Sequence, residues 1–166
     1  RLFLGDANST HGYTIQSAGG SLAFNNISGA ASLSKTAGAN DTIALPVSLG
    51  DDLVITNNAT GSLSLTAGSS GTGSLTKVGT GLLILDGAMA HSGVTTVNAG
   101  TLALGAGATI AGAIQVNSGG VLDATAIAGG LVLASGQNLG GGGTVVGDIS
   151  AGSGATVSPG TTGTAA

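Results

Sequence analysis

Cysteine and tryptophan are absent from this chain, aromatic residues make up 2% of it and charged residues 6%. Without cysteine there is no disulfide framework, so a domain of this size must hold together through backbone ladders and a packed core alone. Three basic residues and a net charge of −4 exclude a nucleic-acid binder, because neutralising phosphates takes clusters of Lys and Arg. No apolar run approaches the roughly 18 to 20 residues of a membrane-spanning helix. The richest stretch, Gly81 to Asp86, reads as a strand bounded by Gly and Asp. Disordered chains couple low hydrophobicity to high net charge, and a chain with 42% hydrophobic residues and so few charges does neither.

What is present is glycine, 33 of 166 residues, and repetition. Ser32-Leu33-Ser34-Lys35 returns as Ser74-Leu75-Thr76-Lys77, 42 residues later, and Val97-Asn98-Ala99-Gly100 returns as Val116-Asn117-Ser118-Gly119 after 19. The longer interval is about two of the shorter, which predicts stacked coils of 19–21 residues, each needing its neighbours to bury an apolar face. Thr42 to Leu45, Ser62 to Leu65 and Thr101 to Leu104 alternate small or hydroxyl residues with branched aliphatics, the period-two pattern of half-buried strands. Pairs such as Gly19-Gly20, Asn57-Asn58, Gly119-Gly120 and Gly129-Gly130 suit corners, and glycine this dense opposes any long helix. Two or three short strands per coil are expected. An antiparallel sandwich would also space strands by about ten residues, but the 19- and 42-residue echoes favour the solenoid.

The run from Gly73 through Leu75, Lys77, Gly79 and Leu82 to Asp86-Gly87, continued by Gly93, Thr95, Val97, Asn98 and Gly100-Thr101-Leu102, resembles the passenger-associated transport repeat, also called the autotransporter-associated β-strand repeat. The chain departs from that pattern in one turn, where Met89, His91 and Gly93-Val94 stand in place of the usual Asn, aromatic and Gly-Gly. A weaker copy spans Ser32 to Leu45. Gly142 to Pro159-Gly160 is similar to segments that follow such repeats. The resemblance implies an all-β, right-handed parallel β-helix of about eight coils in a secreted or surface-displayed bacterial protein. Residues 1–31 would form aromatic-bearing first coils, 32–105 a repeat-like core and 106–166 glycine-rich C-terminal coils of a single segment. The chain opens at Arg1 with no signal peptide, so it is expected to be a piece of a longer protein, with further coils at either end or another copy of the chain covering the ends.

Candidate functional residues are few. Phe3, Tyr13 and Phe24 are all the aromatics there are, and they lie in the first 24 residues. They either plug a wider first coil or form an assembly contact; Phe3, between Leu2 and Leu4, faces outward if the leucines face in. Asn98 and Asn117 are placed to stack as an amide ladder. Lys35 and Lys77 are expected two coils apart on one solvated face. All seven acids are Asp, a turn-capping residue expected at corners. Asp51-Asp52 is the one adjacent pair, and neighbours on a strand point to opposite faces. Asp6 with His11 and Asp86 with His91 share a spacing, but two ligands fall short of a metal site and exposed turn residues account for them. Gly140 to Gly143 continues into no phosphate-loop or dinucleotide pattern, and no Gly-x-Ser-x-Gly elbow occurs. No catalytic, cofactor-binding or metal-binding residue is assigned.

Two functions follow as expectations. One is a non-enzymatic shaft or extracellular fibre subunit that associates with its own kind, end to end or laterally, or meets a host or matrix surface. The other is a carbohydrate-active β-helix enzyme or glycan-binding adhesin, which needs acids and aromatics along a groove that this chain lacks beyond residue 24.

Overall fold

The computed structural model describes residues 1–5 and 10–160. The chain winds into a parallel β-solenoid whose coils each contribute one strand to each of three faces. The first face is an eight-stranded sheet: Leu2–Leu4, Ala31–Lys35, Leu53–Asn57, Leu75–Val78, Thr95–Val97, Ile114–Val116, Asn138–Gly141 and Thr156–Pro159. The second has seven strands: Thr14–Ile15, Asp41–Ile43, Leu63–Leu65, Leu82–Leu85, Gly100–Leu104, Gly120–Asp123 and Thr144–Val146. The third has five, Leu22–Phe24, Val47–Leu49, Ser69–Gly71, Ala88–Met89 and Thr109–Ile110, and the pair Leu131–Leu133 with Ile149–Ala151 forms a separate two-stranded sheet. Eight strands on the first face agree with the expected number of coils, and the described residues contain no helix.

Coil length is set by the register. Leu53 pairs with Leu75, Leu75 with Thr95 and Thr95 with Ile114, steps of 22, 20 and 19 residues. Outside this centre the steps are less even: Leu2 pairs with Leu33, 31 residues on, Ile114 with Leu139, 25 on, and Asn138 with Thr156, 18 on. The corners absorb the difference while every strand stays in ladder.

Alternation within each strand builds the core. Inward residues stack into columns of like side chains: Leu63, Leu83, Leu102 and Leu122 on the second face, and Ile43, Leu65, Leu85 and Leu104 beside them. All eight are buried. At about 25 cal/mol per Å² of apolar surface removed from water, columns of this kind supply the main driving force. The intervening residues point outward; on the first face Ser32, Val54, Thr76, Thr96 and Gln115 form one such column. Glycine is obligatory where coils touch backbone to backbone. Gly100 has φ +65°, and a Cβ there would lie 2.5 Å from the Gly79 carbonyl oxygen of the preceding coil.

Candidate functional site

Polar residues that interrupt the apolar columns occur in sets that satisfy one another. Period-two alternation places Lys35 on the inner face, two residues past Leu33, and Asp41 heads the column of Leu63, Leu83, Leu102 and Leu122. Both side chains are fully buried, and Lys35 Nζ meets Asp41 Oδ2 at 2.7 Å. Lys35 Nζ also donates to the carbonyls of Ala37 and Ala39, at 3.1 and 2.5 Å, and Asp41 Oδ1 accepts the Tyr13 N–H at 2.7 Å. The pair ties the corner after Ala31–Lys35 to the start of the second face and to the preceding coil.

Lys77 is buried as well, but without an acid. It occupies the column of Leu33, Ile55, Val97 and Val116, and its Nζ curls out to the carbonyls of Val78, Gly79 and Ala99 at 3.1, 2.6 and 3.0 Å. Burial lowers its pKa to about 8. The expectation of two solvated lysines is therefore corrected. The 42-residue echo is two residues short of the two-coil register, so Lys77 stands over Leu33, while Lys35 pairs with Asn57. Asn57 does for its corner what the lysines do for theirs: Nδ2 donates to Gly61 and Leu82 carbonyls, and Oδ1 accepts the Ala59 N–H. Gln137 repeats the device, spanning Ile110, Gly112 and Ala134.

The third set centres on His91, which is buried rather than an exposed turn residue. Its Nδ1 lies 2.7 Å from Ser69 Oγ and its Nε2 3.0 Å from Thr95 Oγ1. Both hydroxyls are themselves buried, Ser69 between Val47 and Met89 in the third face and Thr95 between Leu75 and Ile114 in the first. Burial lowers the His91 pKa. The set joins two faces across a corner.

The residues singled out from the sequence divide. Phe3 and Tyr13 are exposed, on different faces, whereas Phe24 is buried against the core and in ladder with Leu49, so its ring is not offered as an assembly contact. Asn117 Nδ2 donates to Asn98 Oδ1 at 2.7 Å, and Gln115 Nε2 donates to Asn117 Oδ1 at 3.0 Å, a short line of amides across successive coils. Asp51 and Asp52 sit in a turn and act separately: Asp51 accepts the Asn26 N–H and Asp52 the Ser74 N–H, each from an adjacent coil. Thr125, through its hydroxyl and then its N–H, holds the Asp123 carboxyl below the usual range. Asp6 lies outside the described residues, and with it the pairing to His11. Sequence reasoning missed the buried roles of Lys35, Asp41, Lys77 and His91. For the lysines the signal was the alternation itself, Leu33-x-Lys35 and Leu75-x-Lys77.

Chemically, these arrangements tie corners. Among the described residues every buried side-chain nitrogen and oxygen has a hydrogen-bond partner, and no three His or acidic side chains converge on a common point. The largest cavity, about 620 Å³, opens beside Leu2, Phe24 and Ala31 at the first coils, and one of about 210 Å³ opens beside Leu139, Val145 and Val157 at the last. No helix of the described residues is long and apolar enough to cross a membrane.

Comparison with family models matches residues 75–104 and 99–124 to the passenger-associated transport repeat. The first match runs from the first-face strand at Leu75 through one full coil to the second-face strand ending at Leu104, and the second continues to the close of the next second-face strand. No curated protein and no solved structure matches the chain. The match falls on the most evenly spaced coils, and the chain is accordingly a β-solenoid repeat protein of the autotransporter passenger-like kind, carrying passenger-associated transport repeats over residues 75–124.

Proposed function

We propose that this chain is a rigid, non-enzymatic segment of a secreted or surface-displayed bacterial protein, serving as a solenoid shaft or a fibre subunit. The observation that carries the reading is the complete internal use of its polar side chains. Each buried Lys, Asp, His, Asn and Gln is spent on a corner, and the acids at the turns examined above cap N–H groups of neighbouring coils. A catalytic group must instead be held free to meet a substrate. The repeat match supports a passenger setting, outside the cell. Eight first-face strands at about 4.8 Å each make a rod of about 35 to 40 Å.

Small-angle scattering and limited proteolysis test this. The purified chain should scatter as a rod of that length and resist proteases along residues 31–141. A compact sphere, rapid cleavage within the coils, or release of reducing ends from a panel of polysaccharides would overturn it.

A further inference from the structure

The outer side of the eight-stranded sheet differs from the rest of the surface in having no charge. Its strands contain two charged residues, Lys35 and Lys77, and both point inward and are buried. What faces out is the column Ser32, Val54, Thr76, Thr96 and Gln115, flanked by a second column in which Phe3, Ser34, Thr56 and Val78 pair in turn. Phe3 is 64% exposed. The second face carries Asp123 on its outer side, and the third is bordered by Asp51, Asp52 and Asp86 at its corners.

Resting on the shaft reading, we infer that this face is where two copies of the chain pack side by side. The chain carries a net charge of −4, so identical copies repel wherever their aspartates meet. The eight-stranded face is the long surface on which like charges do not oppose each other, and its β-branched and hydroxyl side chains form the flat, regular surface that two sheets need to pack about 10 Å apart. Seven steps of about 4.8 Å by strands of three to five residues give a face of roughly 450 Å² per copy. A pair would bury about 900 Å², just under the roughly 1,000 Å² of a stable interface. The contact is therefore weak for one segment and grows with the number of coils aligned, as befits shafts held side by side.

Sedimentation velocity of the whole chain across about 10 µM to 1 mM tests the pairing, because an interface this small binds in the micromolar to millimolar range. Wild type should shift towards a dimer as concentration rises. Thr76→Lys should abolish the shift with circular dichroism unchanged, Thr109→Lys on the third face should leave it intact, and mixing Thr76→Lys with Thr76→Glu should restore it. The inference is overturned if wild type stays monomeric at 1 mM while scattering still reports the rod, if Thr76→Lys associates like wild type, or if Thr109→Lys is the variant that disperses it. In those cases the shaft reading stands, and the face is bare or meets a different partner.

Discussion

Lys35 and Asp41 meet at 2.7 Å with both side chains fully buried, six residues apart at a corner of the solenoid. Burying two charges is costly, and their attraction offsets that cost only while both are present and their remaining hydrogen bonds are made. Asp41→Ala leaves a buried ammonium with two carbonyls and no counter-charge, and should cost about 3 to 5 kcal/mol in urea unfolding. Lys35→Met combined with Asp41→Leu should recover most of that loss, since leucine continues the column of Leu63, Leu83, Leu102 and Leu122. A double variant no more stable than Asp41→Ala would show that the backbone hydrogen bonds, rather than the charges, hold the corner.

Lys77 gives the fold a pH dependence on the alkaline side. Burial sets its pKa at about 8, against the ordinary value near 10.5 in the unfolded chain, so between those values the unfolded chain binds more protons. Stability attributable to this group is present above 10.5 and lost as pH falls through 8. Unfolding free energy should therefore rise by about 1 to 3 kcal/mol between pH 7.5 and 10.5. Lys77→Met, which suits a column of Ile55 and Val97, should lack that rise when urea unfolding is compared at the two values.

His91 acts on the acid side. Its ring is held between two hydroxyls with no carboxylate bonded to it, and burial lowers its pKa below that of an exposed histidine. The contribution is present above the ordinary histidine value of about 6.5 and is lost as pH falls through the lowered one. Melting temperature should drop as pH falls from 7 to 4.5, and the drop should be smaller in His91→Gln. Equal slopes in both proteins would assign the acid response to the aspartates.

Gly100 combines positive φ with a close backbone approach. Gly100→Ala would place a Cβ 2.5 Å from the Gly79 carbonyl oxygen, and should cost about 2 kcal/mol or more. Gly19→Ala, where no atom lies within 4 Å of the added Cβ and φ is not positive, should be close to neutral. Thermal melts of the two variants check the contrast.

Much of the fold was legible because its rules are local. Alternation at Ser62 to Leu65 and Thr101 to Leu104 marks strands whatever they pair with, and the 19-residue return of Val-Asn is one of the coil steps observed, Val97 onto Val116. Counting strands per coil needed no tertiary information either, since Leu53, Leu63 and Leu75 already lie on alternating faces of successive coils.

The residues alone determined that this chain is a stacked β-structure with small corners, few charges and no site built from converging acids. Tertiary structure decided where the charges went. Lys35 and Asp41 lie only six residues apart, yet a sequence motif does not reveal that both turn into the core. His91 finds Ser69 on one face and Thr95 on another only once the coils are stacked. The reason is physical. Strand alternation is a property of a few adjacent residues, whereas burying a charge is tolerable only when partners from other strands and coils arrive at hydrogen-bond distance, and those partners are set by register.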